Sequence, residues 1–172
     1  MSDIRKLRLE QLVQALDLEG HIEGGYFRQT YRSKRTEKIH TCVGERVTAT
    51  SIYYLLTSDS HIGHFHKNLS DIVHYFHLGD PITYYLIYPD GHLETKVLGS
   101  DVLAGQQLQL VVEGGVWKAS AVSSDGAYGY GLIGEAVAPG FEYTDMQLGE
   151  TATLTAAFPE HCQLIEAFCR KN

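Results

Sequence analysis

Five of the chain's nine histidines fall between Ser60 and Pro81, in the stretch SHIGHFHKNLSDIVHYFHLGDP. They are His61, His64, His66, His74 and His77, with Asp71 among them. Neutral imidazole is the commonest protein metal ligand and titrates near neutrality, so the cluster points to metal binding or to proton transfer. His64 and His66 carry the most weight, because residues two apart on a strand point to one face. His64, His66 and His74 could supply the three protein ligands that a catalytic metal commonly takes, and imidazole suits Zn, Cu, Fe or Ni. The sequence demands no cofactor; a divalent transition metal is the one these residues could hold. The plainer reading makes His61 and His77 surface or turn residues and His64 a hydrogen-bonded interior group.

Other side chains could join such a site. Tyr26 and Arg28 alternate on one face of GYFRQTYR. An Arg aimed into a cavity anchors a carboxylate or phosphate, whereas on an edge strand it is a solvated charge. Tyr53 is expected to line the cavity with Tyr54 packed on the opposite face, or the reverse. Gln109 is a further candidate, as is Trp117, the only tryptophan, which could stack a sugar or base or simply fill core. Glu142 in GFEY is the expected acidic partner of His66, since a carboxylate that orients an imidazole is the usual architecture of His acid/base catalysis. Lys118 and Asp145 are expected to face solvent. No nucleophile elbow, phosphate-binding Gly-rich loop or dinucleotide fingerprint occurs; Gly24-Gly25 and Gly114-Gly115 lack the spacing and read as turns.

The elements that would position these residues are mostly strands. Ser2 or Asp3 can cap a first helix over about residues 3–18, with Ile4, Leu7, Leu12, Val13 and Leu16 as its stripe and Gly20 as its stop. From about residue 24 to 148 follow some ten short runs rich in Tyr, Val, Ile, Thr and Phe, separated by turns such as Gly79-Asp80-Pro81 and Pro89-Asp90-Gly91. A tail helix is expected over about residues 159–170, with Pro159 in its first turn. This spacing predicts an all-β sandwich or jelly-roll barrel. With 172 residues and no linker or repeat, one domain is expected.

Composition narrows the partners. A net charge of -7 disfavours a nucleic-acid partner, because such binding leans on clustered Lys and Arg. The basic run from Arg28 to Lys38 is short and reads as a solvated loop. Cys42, Cys162 and Cys169 fit no disulfide framework, and their odd number suits a reducing compartment. The start MSDIRKLRLEQ has no apolar signal-peptide core, and no apolar run reaches membrane-spanning length. A cytoplasmic protein with no membrane partner is the expectation.

Several segments together resemble one family. HIEGGYFRQTYRS, ATSIYYLL, GHFHKNLSDIVHYFHLGDP, VVEGGVWKAS and VAPGFEYTDMQL look like the small cupin group long labelled a domain of unknown function (DUF985). The resemblance runs from about Leu12 to Leu148, and EGGYFR and VAPGFEYTD are its most specific parts. It implies a double-stranded β-helix, usually paired as a homodimer, and kinship with cupins that isomerise or epimerise nucleotide-linked deoxysugars. Cupins generally hold a metal with two His, a Glu and a distant His. His64 and His66 match the first pair. The position of the Glu is taken by Ile72, with Asp71 pointing the other way and His74 pointing inward. The second element, Pro-x-Gly-x-x-His, reads Glu113-Gly114-Gly115-Val116-Trp117-Lys118, so the distant His is missing.

Three functions follow as expectations. The first is an isomerase or epimerase, with His66 as general base and Tyr53 or Tyr26 returning a proton. The second is a metal-dependent oxygenase or hydrolase using His64, His66 and His74. The third is a non-catalytic small-molecule binder. The expected pocket is lined by His66, His74, Tyr53, Gln109, Trp117 and Glu142, with Arg28 near its mouth, and favours nucleotide or sugar-phosphate ligands. A homodimer is expected, with the strand Gly25 to Arg32 crossing to the partner.

Overall fold

Two antiparallel sheets hold most of the chain. The computed structural model describes residues 3–171, with side chains inside the first helix from Arg8 onward. In order the elements are α1 (Asp3–Ala15), β1 (Glu19–Gly20), β2 (Tyr26–Arg32), β3 (Ile39–Thr41), β4 (Gly44–Arg46), β5 (Thr50–Thr57), β6 (Ile62–Asn68), β7 (Asp71–Gly79), β8 (Ile82–Ile87), β9 (Leu93–Leu98), β10 (Gln109–Val112), β11 (Trp117–Val122), β12 (Tyr130–Ala138), β13 (Met146–Leu148), α2 (Thr151–Ala157) and α3 (Cys162–Phe168). One sheet runs β1-β2-β5-β12-β7-β10 and the other β13-β6-β11-β8-β9, while β3 and β4 form a separate hairpin. This is the expected all-β jelly roll with helices at both ends. β2 pairs with β5 of its own chain.

The apolar runs fail to alternate because both faces of the sheets are covered. Between the sheets lie Tyr54, Leu56, Ile82, Tyr84, Leu86 and Ile133. Outside the first sheet, Leu55 and Leu132 meet Leu9, Leu12 and Val13 of α1 and Leu16 just after it. Outside the second, Phe65, Ile87 and Trp117 meet Leu154 of α2 and Ile165 of α3. Thus β5 sends Tyr54 and Leu56 inward and Leu55 outward, and all three are buried.

The ends differ from expectation. Ser2 lies outside the described residues, as do the side chains of Asp3, Ile4 and Leu7. α1 stops at Ala15, ahead of Gly20, because Asp17 takes a positive φ of 52°, a conformation that Asp tolerates better than most residues. The tail is two short helices, with a single turn at Pro159–His161 between them. No described helix is long and apolar enough to cross a membrane.

Three strands carry one residue more than their partners. In β6 the interval from Gly63 to His66 faces only Ser120 to Lys118. In β2 the interval from Gln29 to Tyr31 faces Ile52 to Ser51, and in β7 Phe76 to Leu78 faces Ile133 to Leu132. Each such bulge re-aims the side chains around it.

The helical cover over the second sheet is structural. Ile165→Ala, at a fully buried position, is expected to lower unfolding free energy by about 2–5 kcal/mol, measured by urea denaturation. Leu103→Ala, at a fully exposed position, should change it by less than about 0.5 kcal/mol.

Candidate functional site

A cavity of about 80 Å³ opens between the two sheets, and its polar lining includes His21, Glu23, His66, Asn68, Lys118 and Glu135. Phe27, Ile52, Ile72, Val137, Phe141 and Tyr143 supply apolar and aromatic walls. The site is assembled from six strands, the loop before β2 and the segment between β12 and β13.

That loop is held by close backbone contacts. Gly24 and Gly25 both have positive φ, and a Cβ on Gly24 would sit 2.2 Å from the Ile62 carbonyl oxygen, one on Gly25 2.5 Å from that of Leu55. Only glycine fits two such positions. The His64 N–H donates to the Glu23 carbonyl at 2.7 Å, and the buried Tyr54 hydroxyl donates to the Gly24 carbonyl at 2.8 Å. These contacts fix the Glu23 side chain inside the barrel, where the residue is 8% exposed.

Glu23 meets His66. His66 Nδ1 lies 2.7 Å from the His64 carbonyl oxygen, which can only accept, so Nδ1 carries the hydrogen. Nε2 is then a lone pair, and Glu23 Oε2 stands 3.1 Å from it. Burial pushes Glu23 up to about 8, against the pull of the Lys118 ammonium and with the Glu135 carboxylate adding to the rise. Burial, then Lys118, holds His66 well below its ordinary value. The pair is therefore a neutral carboxylic acid donating to a neutral imidazole.

A second chain of contacts runs beside it. Lys118 Nζ lies 3.3 Å from His74 Nε2, and His74 Nδ1 lies 3.2 Å from Glu135 Oε1. The Tyr84 hydroxyl is 3.3 Å from the same Nδ1. The ammonium donates to Nε2 and Nδ1–H donates to the carboxylate, so His74 is neutral, as its lowered pKa through burial and Lys118 requires. Burial alone would raise Glu135, but Lys118 and His74 override it and hold the carboxyl well below the usual range. Lys118 and Glu135 thus bring compensating charges to the cavity.

Several expected residues lie elsewhere. Phe27 and Gln29 reach the cavity, whereas Tyr26 packs outward toward α1 and exposed Arg28 donates to the Leu16 carbonyl at 3.1 Å. Tyr54 belongs to the inner core and Tyr53 to the outer one. Leu110 is buried inside, and Gln109 is exposed beside Tyr75. Lys118, expected at the surface, faces in, and Trp117 packs outside under the Lys67 ammonium. Each of these five choices is one residue away from an inward neighbour, and a slip of one reverses every side chain. Glu142 is no partner of His66; it flanks the mouth, 39% exposed, paired with Arg32 at 2.5 Å. Asp145, expected in solvent, is buried against Arg46, with Nε to Oδ2 at 2.6 Å.

His66 and His74 do reach the interior, but the bulge in β6 separates His64 from them. His64 Nδ1 faces the Phe168 carbonyl of α3 at 3.2 Å. The expected metal trio therefore does not converge, and no described group of three His, Cys, Asp or Glu could hold a metal ion. The donor set of a cupin metal centre is replaced: Ile72 lines the cavity in place of the carboxylate, and Lys118 stands in place of the distant His.

Glu23, Lys118, Glu135 and His21 were not anticipated. Glu23 begins EGGYFR, the most specific motif, and Lys118 occupies a ligand position of the second element. Glu135 is marked only as a lone charge within the apolar run GLIGEAV, and no pattern marks His21.

The Glu23 carboxyl makes stability depend on pH with a definite sign. A folded pKa raised from 4.5 to about 8 means that the folded chain holds this proton more tightly. Its contribution is complete at low pH and is lost as pH rises toward that value. The buried imidazoles act oppositely, and their effect ends near their ordinary value of 6.5. Urea denaturation at about pH 7 and about pH 8.5 should show the wild type losing about 1 kcal/mol, a loss absent from Glu23→Gln.

Known proteins share this architecture. An uncharacterized protein of Saccharomyces cerevisiae is 43% identical over 147 residues, covering 80% of this chain and 73% of the yeast protein. A hypothetical protein from Leishmania major superposes with a TM-score of 0.87 at 32% identity, covering 94% of this chain and 98% of its own. The Shewanella oneidensis protein SO0799 gives 0.84 at 35%, covering 95% and 98%. Oxalate decarboxylase of Bacillus subtilis shares the fold alone, at a TM-score of 0.52 and 12% identity over 91% of this chain and 38% of that one. The family model described as Cupin superfamily (DUF985) matches residues 10–149, and the chain belongs to that family.

Proposed function

We propose that this cupin binds a small polar molecule in its barrel and moves a proton at a carbon next to a carbonyl, as an isomerase or epimerase does. The observation that carries the reading is the Glu23–His66 contact, 3.1 Å between two buried groups that share one hydrogen. Such a pair can take a proton at one member and release one from the other, with Glu23 near the pKa that suits acid/base work at neutral pH. His66 is the base that drives the transfer, accepting the Oε2 hydrogen at Nε2 as the free carboxyl oxygen of Glu23 takes the substrate proton, and Glu23 holds the role first assigned to Glu142. Half-buried Phe141 and exposed Tyr143 stand at the mouth, where Tyr143 is placed to meet a ligand. Lys118 is the cavity's one Lys or Arg among the described residues, which favours a compact carbonyl compound over the phosphate esters that an inward Arg28 would have suited.

The test is isotope exchange. With small ketones, hydroxy-ketones and keto-sugars in D2O, the protein should replace the hydrogen beside the carbonyl by deuterium, read as loss of the proton NMR signal. His66→Ala and Glu23→Gln should each slow this by about 10²–10⁴-fold. Binding of these compounds without exchange in the wild type would instead support the binder reading. A metal-dependent reading would be favoured if untagged protein carried one transition-metal ion per chain in elemental analysis.

We also propose a homodimer. β10 is the free edge of its sheet, and exposed Tyr75, Leu78, Leu108 and Val111 lie on it or beside it. An unpaired edge with an apolar surface is a liability in a monomer. Light scattering should give twice the chain mass of 19.2 kDa; the single-chain mass at micromolar concentration would contradict it.

A further inference from the structure

One wall of the cavity carries polar groups with unmet hydrogen bonds. Asn68 on β6 is 6% exposed, and its Oδ1 is a buried oxygen with no hydrogen-bond partner among the described residues. Lys118 on β11 is buried too. One of its three N–H donors is directed at His74 Nε2; the other two have no protein acceptor among the described residues. Lys118 lies directly across from His66, and Asn68 is two residues further along β6 on the same face, so the two side chains are diagonal neighbours that one small molecule can bridge. Both line the cavity. Buried polar atoms are normally satisfied, and an orphaned acceptor beside a donor with spare hydrogens calls for a ligand that offers one of each.

We infer that Asn68 and Lys118 form a subsite for a small α-hydroxy carbonyl compound: its hydroxyl donates to Asn68 Oδ1 and its carbonyl oxygen accepts from the Lys118 ammonium. The ligand is neutral, because Glu135 already balances Lys118 and a further buried charge would have no partner. It is small, because the cavity measures about 80 Å³. Its chemistry rests on the proton-transfer reading. When the C–H proton beside the carbonyl passes to the free carboxyl oxygen of Glu23, the Glu23 Oε2 hydrogen moves to His66 Nε2, the C–H electrons form the new C=C bond and the carbonyl π pair moves onto oxygen. That oxygen is the one held by Lys118, whose positive charge is fixed where negative charge develops. Glu23 then returns the proton to the same carbon, which completes exchange, or, once the hydroxyl hydrogen has moved across to the enolate oxygen, to the neighbouring carbon, which completes isomerisation. Lys118 thereby supplies, from the position of the missing His, the positive charge that a metal supplies in other cupins.

The test compares hydroxyacetone with acetone, which lacks only the hydroxyl, by NMR titration of ¹⁵N-labelled protein. Wild type should bind hydroxyacetone about tenfold more tightly or better. Asn68→Ala should abolish that preference, and Lys118→Met should weaken both ligands about tenfold. Asn68→Thr, which restores a side-chain oxygen, should recover part of the preference. Equal binding of the two ligands to wild type, binding of neither, or a preference that survives in Asn68→Ala would overturn the subsite. The wild-type comparison needs no variant to fold. Deuterium exchange into hydroxyacetone is read separately. A preference without exchange leaves the subsite standing and sinks the proton-transfer reading; exchange without a preference does the reverse.

Discussion

Desolvation governs this molecule. The barrel buries Glu23, His66, His74 and Lys118 among aromatic and aliphatic side chains, and charged groups so placed must find partners or give up their charge. Both solutions are present side by side. Glu135 and Lys118 keep their charges with His74 between them, while Glu23 and His66 abandon theirs by sharing a proton. The first arrangement sets the field in which the second titrates: burial pushes Glu23 up, Lys118 pulls it down without overcoming burial, and Glu135 adds to the rise. A neutral acid–base pair beside a fixed ammonium follows from where these residues are buried.

Of the donors in the cupin metal pattern, His66 alone still faces the cavity. A carboxylate position holds Ile72, the distant imidazole position holds Lys118, and the β6 bulge turns His64 toward α3. These changes are mutually consistent. An ammonium in place of an imidazole repels a cation, and an isoleucine offers it nothing. His74, on the opposite sheet, then bonds to Lys118 and Glu135.

The fold was largely legible in the sequence. Asp71–Gly79 can be read off DIVHYFHLG and Tyr26–Arg32 off GYFRQTYR, because their flanking Gly, Asp and Pro residues end them sharply. The hairpin β3–β4 was missed because three-residue strands, mostly exposed, carry no apolar period. The site was harder. Alternation predicts which residues share a face but not which face looks inward when both are covered. Tyr53 and Tyr54, or Trp117 and Lys118, are equally plausible until the sheet they pack against is known. Bulges make it worse, since one extra residue after Gly63 parts His64 from His66, the very pair whose spacing suggested a shared face. Where the cupin resemblance was added to alternation, as for Ile72 and His74 on β7, the inward positions came out as the structure has them.

The polar groups of the cavity come from both sheets and from a loop that belongs to neither. Glu135 and His74 stand on one sheet, His66, Asn68 and Lys118 on the other, and Glu23 is seated between them by Gly24 and Gly25. No continuous fragment of the chain contains this set unless it reaches from Glu23 to Glu135. The chemistry is therefore all-or-none with respect to folding: a partly unfolded chain, with its sheets undocked, holds none of it. Any molecule that bound the folded cavity and not the unfolded chain would therefore stabilise the whole barrel.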